Sequence, residues 1–276
     1  MSAIALFNGR PEDDAHARSR GLHYGDGVFR TMLIVDGIVV DWTHHWSKLC
    51  ADCAVLGLQP PAEADLLSEL ALLSAGHVWA SAKVLVVRRW QSRGYAPTTD
   101  ASDRLVMVTS ESAGGAQAPA AGIDVMLSDI RLGDQPALAG VKHLNRLEQV
   151  MASRHWPDTI GEALMLDTRG LLISGTRSNV FCVAGNKLRT PNLERCGVAG
   201  VMRQRVIETC ASLDWAIECV DLPWSEFLEC DEAFICNSLT GIVPLRRCGT
   251  REWPSPGLHA RQLWSRLSHP RHSLNL

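Results

Sequence analysis

The apolar positions of this chain fall into short blocks whose period changes along the sequence. Val28 to Val35 and Ile38 to Asp41 are β-type runs on either side of Asp36-Gly37, and together they predict a hairpin. After Thr43, a capping residue, Leu49, Cys53 and Leu56 lie on one helical face, predicting a helix over 43–56. Pro60-Pro61 open a second helix, over 62–74. Lys83 to Trp90 and Leu105 to Thr109 are two more β-type runs. At the start, residues 3–8 alternate weakly and end at Asn8-Gly9, as a short strand and turn would. Gly21 to Thr31 begins as a glycine-rich loop and runs into the hairpin.

The pattern breaks at Glu111 to Gly122, a run of small residues poor in anchoring side chains, as a linker is. A strand at 123–127 follows. Leu144, Leu147 and Val150 then recur at helical spacing, which predicts a helix opening near Lys142 and reaching about His155. Strands are predicted at 163–167, 171–173, 179–183, 187–190, 215–220, 232–236 and 242–245. Helices are predicted from Val201, near Trp224 and at the C-terminus. No repeat is visible. The chain reads as α+β in two domains: a smaller one over 1–110 and a larger, mainly strand-built one over 123–276, joined by 111–122.

Composition narrows the function. A chain of 276 residues is long enough for that core. With 46% apolar and 21% charged residues, a net charge of −3 and no basic run, nucleic acid is not an expected partner. No stretch approaches the ~20 apolar residues of a membrane span. Met1 to Arg10 lacks the basic start and long apolar region of a signal peptide. The nine cysteines, an odd number mostly inside apolar segments, suit the reduced thiols of a cytoplasmic protein. Cys50 and Cys53 have CxxC spacing but lie in a helical pattern with no second pair or histidine cluster, so no metal is assigned. His23, His44, His45 and His143 are given no catalytic role.

Lysine is scarce: there are four, against 23 arginines. One of them, Lys142, directly follows the apolar run Ala137-Leu138-Ala139-Gly140-Val141. An amine held against apolar surroundings loses its proton readily and becomes a nucleophile able to form a Schiff base. On spacing alone, a surface lysine before a helix is the commoner reading.

Five blocks, in order, resemble the fold-type IV, class IV aminotransferase-like, pyridoxal-phosphate enzymes. They are Tyr24-Gly25-Asp26-Gly27-Val28-Phe29, Arg93-Gly94-Tyr95, residues 138–149, Gly197-Val198-Ala199-Gly200-Val201-Met202-Arg203-Gln204, and Ile235-Cys236-Asn237. The block Lys142-His143-Leu144-Asn145-Arg146-Leu147-Glu148 is most similar to the 4-amino-4-deoxychorismate lyases of that family. The resemblance spans essentially the whole chain.

The resemblance implies a cytoplasmic homodimer that binds pyridoxal 5'-phosphate through Lys142. The activity it implies is conversion of 4-amino-4-deoxychorismate to 4-aminobenzoate and pyruvate for folate synthesis. A class IV amino-acid aminotransferase, or a homologue without lyase activity in an aromatic-acid pathway, carries similar blocks. Val201 and Met202, at a helix start, are implied phosphate contacts, with Asn237 and Ser238 as a second contact. Asn179 ends a block that in the family reads Glu-x-x-x-x-Asn. Here Ser174 stands where the family places a carboxylate against the pyridine nitrogen, which implies a weaker electron sink. Lys48 stands where the family has a phosphate-binding arginine, keeping the charge but losing the bidentate fork. Arg30, Arg93 and Arg146 are candidates for substrate carboxylates, and Tyr24 and Tyr95, the chain's only tyrosines, for the substrate wall.

Overall fold

In the computed structural model, residues 6–7, 10–11, 18–111 and 120–272 are described. Residues 3–5 and 8–9 of the first expected strand and turn, and 112–119 of the expected linker, lie outside the described residues. Two compact units form: Met1–Ser110 with Lys142–Asn145, and Glu111–Val141 with Arg146–Leu276.

The first unit begins with a small pair of strands, β1 (Leu6–Phe7) and β2 (Arg10–Pro11), and a short helix, α1 (Arg20–Tyr24). The expectation at α1 was a glycine-rich loop. Instead Ser19 caps the N-terminus, accepting from Leu22 N, and Gly25 closes the helix at φ 63°, a left-handed value that suits glycine. The expected hairpin is β3 (Gly27–Val35) with β4 (Ile38–Val39), turning through Asp36 and Gly37, both at positive φ. Two helices follow, α2 (Trp42–Val55) and α3 (Glu63–Ser74), then β5 (Trp79–Arg88) and β6 (Ser102–Ser110). The sheet order is β4-β3-β5-β6.

Alternation fixes which face is buried. Val28, Arg30, Met32 and Ile34 of β3 lie opposite Val86, Val84, Ala82 and Ala80 of β5, and all eight are buried. Helix α2 packs on β3 and buries His45, Leu49, Asp52 and Cys53. Two charged groups, Arg30 and Asp52, therefore sit in otherwise apolar rows. Burial pushes the Cys53 thiol up to about 12, so it stays protonated.

The segment at Lys142 departs from expectation. The helix predicted to open there begins at Leu147 and runs to Ala152 as α4. Residues 142–144 are extended and pair with β3: Phe29 N donates to Lys142 O and Leu144 N to Gly27 O, both at 3.0 Å, and His143 bridges Val28. This pairing places Lys142–Asn145 in the first unit, although the sequence division put them in the larger domain.

The second unit is built on a ten-stranded sheet. Its strands are β7 (Ile123–Leu127), β8 (Glu162–Leu166), β9 (Leu171–Gly175), β10 (Asn179–Ala184), β11 (Lys187–Pro191), β12 (Ile217–Val220), β13 (Leu222–Pro223), β14 (Glu232–Asn237), β15 (Gly241–Cys248) and β16 (Arg251–Glu252). Their order is β12-β11-β10-β14-β15-β7-β8-β9-β13, with β16 on β15. Along β10 and β14 both faces are covered, which explains their unbroken apolar runs. Val180, Cys182, Ala233 and Ile235 enter one cluster; Phe181, Val183, Phe234 and Cys236 enter the other, with Phe181 and Phe234 stacked at 5.1 Å. Helices α5 (Val201–Ser212) and α7 (Leu258–Leu267) cover the second cluster, and α6 (Trp224–Glu229) adds Phe227 to the first. Among the described residues, no helix is long and apolar enough to cross a membrane.

Candidate active site

Lys142 is half-buried, and its Nζ lies 4.6 Å from the centre of the Phe29 ring. Its carbonyl is bound by β3, and its own backbone N–H donates to Asp52 Oδ2 at 3.0 Å. The main chain at this lysine is thus held on both sides. On the same ring, at 5.3 Å, sits the amine of exposed Lys83.

Asp52, 1% exposed, is the centre of this part of the unit. Arg30 Nη2 binds its Oδ2 and Lys48 Nζ binds its Oδ1. Arg30 also donates to the Lys48 carbonyl at 2.9 Å. Burial lowers the pKa of Arg30 and of Lys48, while Asp52 opposes the loss of both protons. The sequence reading assigned Arg30 to a substrate carboxylate and Lys48 to the cofactor's phosphate. In the structure both engage a carboxylate of the chain itself, which that reading missed. A signal was present: Asp52 follows Leu49 by three positions on the buried helix face, and Arg30 falls in register with Val28 and Met32.

His45, on the same helix face, has both ring nitrogens buried without a hydrogen-bond partner. Burial, then the nearby charges of Arg30, His44 and Lys142, hold its pKa down at about 3. In the second unit His272 is likewise pushed down to about 3, by burial and then by His269. The unfolded chain takes up these protons near 6.5 and the folded one only near 3, so this stability is present above 6.5 and lost as pH falls. Acidifying from 6.5 to 5 should cost about 2 kcal/mol per histidine. Glu162 acts in the opposite sense: burial raises its pKa, so protonating it favours the fold. Thermal unfolding measured across this range should show a shallower acid loss in His45→Gln than in the parent. An unchanged slope would contradict the assignment.

The Arg93-Gly94-Tyr95 loop is exposed, and Arg20, another residue the sequence reading passed over, anchors it. Arg20, 4% exposed, donates to Gly94 O at 2.9 Å, to Tyr95 O at 3.2 Å and to Asp26 at 2.8 Å. Its guanidinium lies over the Tyr24 ring at 4.8 Å, the Tyr24 hydroxyl accepts from Gly94 N, and the Tyr24 and Tyr95 rings meet edge-on at 5.5 Å. Tyr24, Arg93 and Tyr95 therefore share one neighbourhood, with the Tyr95 ring largely in solvent.

In the second unit, Asn179 organises the turn before α5. Its Nδ2 donates to Val198 O at 2.8 Å and its Oδ1 accepts from Gly200 N at 3.2 Å. Gly140 pairs with the same turn through Gly197 O and Ala199 N, both at 3.0 Å. Helix α5 then opens at Val201 and Met202 with no side-chain cap and no acid in its first turn. Such a terminus presents backbone N–H groups and the positive end of the helix dipole to an anion. Ser174 is buried on β9. Asn237 Oδ1 accepts from Leu239 N and Thr240 N, both at 2.9 Å, shaping the turn that contains Ser238, whose carbonyl lies 3.3 Å from His269 Nε2. Arg146 precedes α4, its Nη2 3.4 Å from Val141 O. Each unit by itself carries groups of a kind that suits the expected cofactor: the first an amine beside an aromatic ring, the second the uncapped terminus of a twelve-residue helix, suited to a phosphate, and a buried hydroxyl.

Comparison with known proteins agrees in family. A profile of the class IV amino-transferases matches residues 27–248. The chain is similar to an aminodeoxychorismate lyase of Vibrio harveyi, 32% identical over 242 residues, covering 86% of this chain and 89% of that one. It is similar in structure to a 4-amino-4-deoxychorismate lyase from Pseudomonas aeruginosa, with a TM-score of 0.82, 35% identity, and coverage of 94% and 98%. A hypothetical aminotransferase from Mycobacterium tuberculosis in its PLP-bound form shares the fold, with a TM-score of 0.75, 20% identity, and coverage of 95% and 96%.

Proposed function

The chain belongs to the class IV amino-transferase family, and from that premise we propose that it is a pyridoxal 5'-phosphate-dependent lyase. Its reaction converts 4-amino-4-deoxychorismate to 4-aminobenzoate and pyruvate. What carries this reading is Lys142: a single lysine in a Lys-His-Leu-Asn-Arg-Leu-Glu block, its main chain fixed and its amine against an aromatic ring. Pyridoxal phosphate, when bound, supplies an electron sink for the carbon that bears the substrate's amine.

Lys142 bonds the cofactor in the resting enzyme. Its amine, when free, would take the proton from the carbon bearing nitrogen and give one to the departing enolpyruvyl group. The C–O bond to the pyruvyl fragment would break as that proton is lost, and aromatisation of the product would drive the step. The N–H groups at Val201 and Met202 would hold the phosphate, with the Asn237-Ser238 turn as the second contact. Arg93 offers a planar donor fork to a substrate carboxylate, beside Tyr24 and Tyr95, and Arg146 is a second candidate. Ser174, in place of a carboxylate, favours elimination over transamination. Charge that leaves with the pyruvyl fragment depends less on a strong sink. The enzyme acts as a cytoplasmic homodimer in folate synthesis.

The test is turnover of 4-amino-4-deoxychorismate by protein supplied with pyridoxal phosphate and no keto acid. Equal amounts of 4-aminobenzoate and pyruvate are expected. A strict requirement for a keto-acid acceptor would make the protein an aminotransferase. Cofactor binding without either reaction would make it a homologue of another role.

A further inference from the structure

The residues around Lys142 carry one more assignment, resting on the reading that this lysine bonds the cofactor. We propose that Asp52 is a positioning residue for Lys142, and that Arg30 and Lys48 serve by holding Asp52 in place.

The geometry starts from the backbone. Pairing with β3 uses the carbonyl of Lys142 and the N–H of Leu144, so the N–H of Lys142 is left to find another acceptor. That acceptor is a side chain of α2, Asp52 Oδ2 at 3.0 Å. With its carbonyl on Phe29 N and its amide on Asp52, Lys142 has little freedom at its own φ and ψ, and the root of its side chain is set. A carboxylate can do this only if it is itself fixed. Arg30, 3% exposed, grips Oδ2 from the sheet, and Lys48 grips Oδ1 from one turn earlier on the same helix. Arg30 also ties itself to the Lys48 carbonyl. Both of these contacts are made by Nη2, from a guanidinium that is buried between the sheet and α2.

Two double variants separate positioning from charge balance. Asp52→Ala with Arg30→Met, and Asp52→Asn with Arg30→Met, both remove the buried ion pair. Only the second keeps an acceptor for the Lys142 amide. Pyridoxal phosphate is titrated into each, and its bond to Lys142 is trapped with borohydride and located by peptide mass. The asparagine double should bind the cofactor close to the parent, and the alanine double about ten-fold more weakly. Equal affinity in the two would overturn the proposal, because a merely structural role is satisfied by both.

A second measurement needs no variant: hydrogen exchange at the Lys142 amide of the unsubstituted protein. Exchange far slower than at the exposed Gln91 and Arg93 amides is expected. Exchange as fast as theirs would overturn the proposal even if neither double variant folds. If the parent takes up no pyridoxal phosphate, the cofactor reading fails, and the amide measurement alone decides the role of Asp52.

Discussion

Lys142→Ala is expected to lose at least about 10²–10⁴-fold of the cofactor-dependent turnover, the range that a positioned proton-transfer group supplies. The loss should be near the top of that range, because on the proposed mechanism Lys142 both bonds the cofactor and moves the proton. None of the other three lysines is placed to replace it. Lys48 is bound to Asp52, and Lys187 pairs with Glu218 at 2.6 Å in the second unit. Lys83 reaches the same Phe29 ring, but from an exposed strand position and at 5.3 Å rather than 4.6 Å. Folding should be untouched, since alanine keeps the backbone N–H and C=O that bind Asp52 and Phe29. Circular dichroism and unfolding curves matching the parent, with turnover lost, are the expected pair of results. Turnover within a few-fold of the parent would remove Lys142 from the chemistry.

Asp52→Ala carries the largest expected effect on stability. Taking one partner from a buried ion pair leaves the other charge without compensation, at a cost of about 3–5 kcal/mol. Here the orphaned group is Arg30, 3% exposed in a row of Val28, Met32 and Ile34. Denaturant unfolding of the variant should show that loss. Adding Arg30→Met to it should recover most of the loss, since contacts in one network are not additive. A change below about 1 kcal/mol in the single variant would mean that the pair is solvated or loosely held.

Much of the fold follows from periodicity that the sequence displays openly. The hairpin at Asp36-Gly37, the helix carrying Leu49 and Cys53, the strand at 123–127 and the run of second-unit strands lie within a few residues of where alternation and turn residues put them. The segment at Lys142 does not follow its period. Leu144, Leu147 and Val150 match a helix, but the helix opens only at Leu147, and Leu147 and Val150 are 71% and 56% exposed, so burial of that face does not draw the preceding residues into it. Residues 142–144 instead satisfy their backbone on β3, a choice made by tertiary contact that local spacing does not encode.

The site shows the same division. Lys142 stands out in the sequence because lysine is rare in this chain and its flanking block is distinctive. The role of Asp52 does not, because it lies inside Cys50-Ala51-Asp52-Cys53 and draws notice only as the interior of a possible thiol motif. Its partner Arg30 looked like a ligand-binding arginine, since charge identifies a residue's chemistry but not what it faces. Arg20 was hidden for a similar reason: its contacts are to carbonyls 74 and 75 positions away.

The most direct test of the central claim is to incubate the purified protein with pyridoxal phosphate, reduce it with borohydride and map the modified lysine by peptide mass. A single adduct on Lys142, absent from Lys142→Ala, is the predicted result. An adduct on Lys83, Lys48 or Lys187 in its place, or none at saturating cofactor, would contradict it.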